Sequence, residues 1–266
     1  MSLRVCIAGA TGWAGSALAR AVVGALDLEL VAAVSRTYAG RMLGEALGDT
    51  SIRVPVYESV ADALVHPADV LVEYTSPEVA RSNILEALHR GVHVVVGTSG
   101  LTNDDFSEID AEAQKHQCAV LACGNFALTA VLLQRFAEMA ARLIPHWEIV
   151  DYASDQKRDA PSGTTRELAD RLAHVRSAEH TIPIDQTVGA REARGASIHG
   201  SQIHSLRLPG FVISAEVIFG MPDQRLSIRH DSGDSAAPYV DGALLAIRRV
   251  SQLVGVHRGL DTVLDL

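Results

Sequence analysis

A chain of 266 residues, 48% hydrophobic and 21% charged, has the composition of a soluble globular protein with one large or two modest domains. Its 23 Lys and Arg stand against 32 Asp and Glu, and the resulting charge of −9 argues against nucleic acid or an anionic membrane as partner. Three cysteines (Cys6, Cys118 and Cys123) sit mostly in apolar runs, no leader-like segment opens the chain, and no apolar run reaches the roughly 18 residues of a membrane span; these features point to a reduced, cytoplasmic protein without a metal site.

Leu3 to Ala8 is a short apolar run, the pattern of a buried parallel strand. The segment Gly9-Ala10-Thr11-Gly12-Trp13-Ala14-Gly15 follows, and Ala14, Leu18, Ala21, Val22 and Ala25 then recur at helical spacing before a second strand, Leu28 to Val34. Gly-x-x-Gly-x-x-Gly between a strand and a helix is the setting of a dinucleotide-binding turn, in which glycines let the backbone approach a pyrophosphate. About 20 residues beyond Gly15, where a carboxylate would hold the ribose hydroxyl of NAD, stand Ser35, Arg36 and Thr37. A cation flanked by hydroxyls suits a 2′-phosphate, so NADPH is expected, with NADH possible.

Tyr38 to Pro55 reads as a loop with one short helix, and Val60 to Leu64 as helical. Asp69 to Tyr74 is a strand ending in Thr75-Ser76-Pro77, and Pro77 and Glu78 open a helix through Arg90. Val92 to Val96 is a strand ending in Gly97-Thr98-Ser99-Gly100; Asp104 to His116 is helical; Cys118 to Ala122 is a strand ending in Cys123-Gly124-Asn125-Phe126. This alternation predicts an α/β fold, a Rossmann-type doubly wound parallel sheet. Ligands of such sheets bind at the carboxyl ends of the strands, so Thr75, Gly97, Thr98, Asn125 and Phe126 join Gly9–Gly15 as expected cofactor-binding residues.

After Phe126 the pattern changes. Leu128 to Leu143 is one apolar helix, His146 to Tyr152 a strand, and a helix runs from Ser162 to about His174. A polar stretch, Arg176 to Ser201, precedes three β runs, Ile203 to Leu208, Phe211 to Phe219 and Arg225 to His230, with hairpin-type turns at Leu208–Phe211 and Gly220–Asp223. Ala236 to Leu253 is helical again. The expected organisation is a dinucleotide-binding domain of residues 1–126 with 236–266, and an α+β substrate-binding and oligomerisation domain of residues 127–235. A sheet with one face uncovered by helices suits pairing between subunits.

Lys157-Arg158-Asp159-Ala160-Pro161-Ser162-Gly163-Thr164-Thr165 places a lysine after a strand and a tight turn at a helix mouth. The first amides of a helix and its dipole favour an anion, and Lys157 adds a full charge. Ser162 alone would also be an ordinary helix N-cap.

With this motif, Val5–Gly12 with Gly15, Tyr74–Glu78, Val96–Gly100, Asn125-Phe126, Ile203–Gly210 and Ile228–Ser232, the chain resembles the 4-hydroxy-tetrahydrodipicolinate reductase (dihydrodipicolinate reductase) family over nearly its whole length. The resemblance implies hydride transfer from NAD(P)H to a cyclic imine dicarboxylate in lysine and diaminopimelate synthesis, by a homotetramer. It implies that Lys157, Ser162, Gly163 and Thr164 hold the small dicarboxylate substrate, while the glycine-rich turn holds the pyrophosphate.

One departure bears on the chemistry. The family carries two adjacent histidines before the lysine, one proposed as general acid; here those places hold Ala153 and Ser154. Ser154 therefore occupies the catalytic position beside Lys157, yet a serine hydroxyl is a poor proton donor near neutral pH. Lys157, Asp155, His199 or water are the other candidates. Three readings follow: the pathway reductase, a related NADPH-dependent enzyme with a different imine or conjugated carboxylate, and a non-catalytic NADPH-binding protein.

Overall fold

The computed structural model describes residues 2–264. The chain divides into two compact units, one made of the residues up to Ala127 together with those from Ala236 onward, the other of Leu128–Ser235.

The first unit alternates strand and helix: β1 (Leu3–Ala8), α1 (Trp13–Gly24), β2 (Leu28–Val34), α2 (Leu43–Leu47), β3 (Val56–Tyr57), α3 (Val60–Ala63), β4 (Val70–Glu73), α4 (Pro77–His89), β5 (His93–Val96), α5 (Asn103–Lys115) and β6 (Ala119–Ala122). After the second unit the chain returns with α8 (Ala237–Arg249) and β12 (Gly255–Arg258). The strands form one seven-stranded sheet in the order β12-β6-β5-β4-β1-β2-β3, every pair parallel. Val5, Cys6, Ile7 and Ala8 are all fully buried, as a strand covered by helices on both faces must be. Because β2 and β3 lie to one side of β1 and β4 to the other, the winding reverses between β1 and β4, and Ala8 pairs with Glu73 there. A crevice opens beyond the carboxyl ends of strands at such a switch point.

The second unit runs α6 (Leu128–Ala141), β7 (His146–Ala153), α7 (Gly163–Val175), β8 (Ala196–Ile198), β9 (Ser201–Arg207), β10 (Ile213–Met221) and β11 (Gln224–Ser232). Its five-stranded mixed sheet has the order β11-β10-β7-β9-β8. β7 alternates: Trp147, Ile149, Asp151 and Ala153 are buried while the residues between them are half-buried. Trp147 and Ile149 pack with Leu133, Ala137, Leu168 and Leu172 of α6 and α7.

Four local features depart from the sequence expectation. β3, β8 and β12 were not foreseen, being two to four residues long and weakly apolar. β12 is held as an edge strand by Asp110, whose Oδ1 accepts the Val256 amide at 2.7 Å. The turn at Leu208–Phe211 is not a hairpin between neighbours: β9 and β10 lie on opposite sides of β7, β9 parallel and β10 antiparallel to it. By contrast Met221 pairs with Gln224 across a two-residue turn, with Asp223 at φ 59°.

Candidate functional site

In the first unit the glycine-rich turn leaves β1 and enters α1. Gly9 has φ +82°, and a Cβ there would lie 2.3 Å from the Tyr74 carbonyl oxygen. Helix α1 already contains Gly15, where a Cβ would fall 2.1 Å from the Gly9 carbonyl oxygen. Both glycines are thus required by close approach of backbone to backbone. The N-cap of α1 is Gly12, no side chain caps the helix, and its first turn carries no acidic residue. Amides at the Trp13–Gly15 turn therefore keep their hydrogen-bonding capacity, and an anion fits where the helix dipole is positive.

Two cavities adjoin this turn. One of about 400 Å³ is lined by Gly9, Thr11, Gly12, Ser35 and Arg36 together with Glu58, Thr75 and Asn83. Thr11 Oγ1 and Ser35 Oγ are 2.8 Å apart, which ties the glycine turn to the end of β2. Arg36 is exposed at the rim. Glu58, which follows β3, brings a carboxylate that the sequence reading did not place here.

The other cavity, about 340 Å³, is lined by Trp13, Ala14, Tyr74, Thr75, Gly97, Thr98, Asn125 and Phe126 with Tyr239 of α8. Trp13 is 60% exposed and stands edge-to-face against Tyr239 with ring centroids 5.7 Å apart. Tyr74 and Phe126 form a second edge-to-face pair at 5.8 Å, and burial raises the Tyr74 phenol pKa. Of the expected cofactor residues, all but Ala10 and Gly15 line one cavity or the other; Ala10 is fully buried in the turn.

Behind these cavities lies Glu73, fully buried at the end of β4. Its Oε1 accepts the Thr75 amide at 2.8 Å, the Thr75 hydroxyl, and the Thr98 hydroxyl at 3.4 Å; its Oε2 accepts Asn83 Nδ2 at 2.8 Å. Burial drives its pKa up, against the pull of these donors. One carboxylate thereby fixes the ends of β4 and β5 and the flank of α4. A lone acid closing an apolar run was the signal in the sequence.

In the second unit, Ser162 caps α7 and is 2% exposed. Its amide donates to Asp151 Oδ2 at 3.0 Å and its hydroxyl to Thr165 Oγ1 at 3.1 Å. Both donors of Ser162 are thus engaged within the protein, in Asp151 and in the cap of α7. Among the described residues, no protein acceptor takes the amides of Gly163 or Thr164. Lys157 Nζ is 2.8 Å from Asp159 Oδ1, which holds the Asp159 carboxyl below its ordinary pKa, and two ammonium protons remain for other acceptors.

Asp151 is the unforeseen anchor of this cradle. It is fully buried and accepts Ser162 N–H at 3.0 Å, Thr165 Oγ1 at 3.0 Å, Ser205 Oγ at 3.1 Å and Arg207 Nη2 at 2.7 Å. Burial alone would raise its pKa; the bonds from Ser162 and Arg207 outweigh burial and lower it. Arg207 Nη2 also donates to the Asp159 carbonyl at 2.7 Å, so the loop carrying Lys157 and the mouth of α7 hang from one ion pair.

Ser154 does not stand free. Its hydroxyl oxygen accepts the Gln156 amide at 3.1 Å, and the hydroxyl donates to Asp155 Oδ1 at 3.5 Å. His199 is exposed in the turn between β8 and β9, where His199 and Gly200 have φ 48° and 78°, the conformation of a type I′ hairpin. That is a turn residue's role and leaves His199 outside the cradle's hydrogen bonds.

Known proteins bear on this geometry. The family profile described as dihydrodipicolinate reductase, N-terminus, matches residues 3–126, and that described as dihydrodipicolinate reductase, C-terminus, matches residues 129–264. A 4-hydroxy-tetrahydrodipicolinate reductase of Listeria monocytogenes serotype 4b is 37% identical over 265 residues, 99% of this chain and 100% of that protein. The enzyme of that name from Geobacillus kaustophilus is 38% identical over the full length of both chains. The structure of a dipicolinate-bound dihydrodipicolinate reductase from Paenisporosarcina sp. TG-14 is similar with a TM-score of 0.89 at 32% identity, over 99% of this chain and 100% of that one.

Proposed function

The chain belongs to the dihydrodipicolinate reductase family, and from that premise we propose that it converts 4-hydroxy-tetrahydrodipicolinate, NADPH and a proton to tetrahydrodipicolinate, NADP+ and water, the 4-hydroxyl group leaving as that water. The observation that carries the reading is the cradle at α7: the unclaimed amides of Gly163 and Thr164 at the helix mouth and Lys157, paired with Asp159, in the loop that leads into it, on a chain similar to a reductase solved with dipicolinate. A ring bearing two carboxylates matches a lysine and a helix mouth.

Residues Trp13–Gly15 would hold the pyrophosphate, Ser35 and Arg36 a 2′-phosphate, and Thr75, Gly97, Thr98, Asn125 and Phe126 the nicotinamide end. Bound NADPH supplies the hydride. Lys157, Gly163 and Thr164 would hold the carboxylates of the substrate and fix its orientation. Lys157 also offsets the negative charge that moves toward the ring nitrogen as the hydride arrives. NADPH is preferred to NADH because Arg36 meets the phosphate, although Glu58 on the same cavity limits that preference. The family resemblance extends the reading to a homotetramer in the cytoplasm. Among the described residues no helix is long and apolar enough to cross a membrane.

The test is steady-state oxidation of NADPH and NADH with freshly generated substrate, wild type beside Lys157→Ala. Saturable turnover, reduced roughly 10–100-fold in Lys157→Ala, is expected from loss of a charged hydrogen bond. Wild-type turnover at background removes the reading.

A second reading is favoured by Ala153 and Ser154, since the Ser154 hydroxyl is tied into its own turn and Ala153 is fully buried. In that reading the substrate is a different imine or conjugated carboxylate that needs no histidine acid. Ser154→His then raises activity on the pathway substrate, by up to the roughly 10²–10⁴-fold that a positioned acid provides. No gain counts against it.

A further inference from the structure

Away from the nucleotide cavities, the carboxyl-terminal ends of α4 and α5 bring together His89, Glu112 and His116. His89 Nε2 lies 3.2 Å from Glu112 Oε2, and His116 Nε2 lies 3.4 Å from the same oxygen. One ligand atom from each of the three residues falls within 4.8 Å of both others. Glu112 and His116 are one helical turn apart on α5, and His89 is the last residue of α4. The two imidazole rings meet edge-to-face at 5.4 Å.

We propose that His89, Glu112 and His116 form a binding site for a divalent transition ion of the zinc class. Metal–nitrogen and metal–oxygen distances of about 2.0–2.2 Å set neighbouring ligands of a tetrahedral ion about 3.3–3.5 Å apart. Two edges of the triangle, at 3.2 and 3.4 Å, are within about 0.1 Å of that range. The third closes by rotation of the His89 side chain, which is 52% exposed. Two imidazoles and one carboxylate are the donor set of borderline zinc-like ions, whereas calcium and magnesium require oxygen. Both helices end at the site, and their unpaired carbonyls place partial negative charge where a cation would sit.

His116 Nε2 supplies the second observation. The atom is shielded from solvent and lies 3.4 Å from Glu112 Oε2 without hydrogen-bond alignment to it or to any other described group, although the His116 side chain as a whole is 27% exposed. A shielded ring nitrogen with no hydrogen-bond partner is costly, and coordination of a metal ion would occupy its lone pair. Lys115 is the competitor for the carboxylate, with Nζ 3.0 Å from Glu112 Oε2. Its side chain is 64% exposed and can withdraw into water. A fourth position facing solvent is left for water, so the site has three protein ligands.

Tag-free, chelator-stripped full-length protein is titrated with Zn²⁺ against a chromophoric chelator, and with Co²⁺ for visible bands of tetrahedral intensity. One ion per chain is expected. Outer-shell partners of a metal are worth about 10–100-fold in affinity, so His89→Ala and Glu112→Gln, which remove direct ligands, lose at least about 100-fold. Lys115→Gln binds more tightly, and excess Mg²⁺ or Ca²⁺ does not compete. Melting curves without metal verify that the exposed variants stay folded. Absence of stoichiometric Zn²⁺ binding overturns the proposal. So does Zn²⁺ retained equally by His89→Ala and Glu112→Gln, which means adventitious binding elsewhere and a plain ion-paired cluster at these helix ends.

Discussion

Asp151→Asn tests whether the dicarboxylate cradle is held from beneath. The wild-type carboxylate takes four donors, from Ser162, Thr165, Ser205 and Arg207, at 2.7–3.1 Å with no solvent contact. An asparagine keeps the shape but replaces one acceptor by an NH₂ group that meets donors. The charge-assisted bond from Arg207 is worth about 1.5–3 kcal/mol, and an orphaned buried amide costs about 1–3 kcal/mol. Breaking a buried ion pair as a whole costs about 3–5 kcal/mol, which bounds the sum. At roughly 2–4 °C per kcal/mol for a protein of this size, Tm falls on the order of 10 °C. The loss should be pH-dependent. The Asp151 pKa is lowered on folding, so its contribution is fully present above the unfolded carboxyl value of about 3.9 and fades as pH drops through the folded value. The difference between wild type and Asp151→Asn therefore persists at neutral pH and narrows in acid. Calorimetry gives Tm, and steady-state kinetics give KM. The dicarboxylate KM rises while NADPH affinity is unchanged. An asparagine variant with wild-type Tm and wild-type KM refutes the assignment of Asp151 as anchor.

Arg36→Ala should weaken NADPH roughly 10–100-fold and leave NADH nearly unaffected, read by fluorescence titration of both nucleotides; equal losses for both contradict the assignment. Gly15→Ala forces a methyl onto the Gly9 carbonyl and should cost about 1–3 kcal/mol with loss of nucleotide binding, measured by denaturant unfolding and titration. Glu73→Gln leaves one of its donors unmatched, so NADPH affinity falls and the dicarboxylate affinity does not; unchanged NADPH affinity argues against its positioning role. His93 and His230 have pKa values lowered chiefly by burial, partly offset by Asp69 and Asp231 respectively. Both favour the neutral form when folded, so stability is complete above the unfolded value of about 6.5 and declines as pH falls through their folded values. Their asparagine variants should flatten that acid limb in thermal melts, and an unchanged slope would refute the attribution.

The parts of the fold that the sequence made legible are those with a strong period or a steric demand. Leu3–Ala8 and Leu28–Val34 were readable because a strand covered on both faces is a nearly continuous apolar run, broken here only by Arg4 and Glu29 near the strand starts. Gly9 and Gly15 were readable because a backbone contact excludes Cβ. β3, β8 and β12 were not, since so few residues carry no period and edge strands are fixed by tertiary bonds such as Asp110 to Val256. The placement of β7 between β9 and β10 was hidden for a related reason: the Leu208–Phe211 turn looks like a hairpin locally, and only sheet pairing excludes it. At the cradle, Lys157, Gly163 and Thr164 were assigned through the family motif they resemble, because a lysine ahead of a helix N-cap is by itself an ordinary capped helix. Asp151 and Arg207 were not assigned, because they lie 56 residues apart and meet only through sheet register. Ser162 was assigned through the same motif, and the bond from its amide to Asp151 is visible only in the fold.

The destination of the reducing hydrogen is the most direct test of hydride transfer to the substrate ring. With NADPH deuterated at the transferable position and freshly generated 4-hydroxy-tetrahydrodipicolinate, deuterium should appear on a ring carbon of tetrahydrodipicolinate, one atom for each NADPH consumed. NADPH that stays unconsumed beside that substrate, or a product free of deuterium, would contradict it.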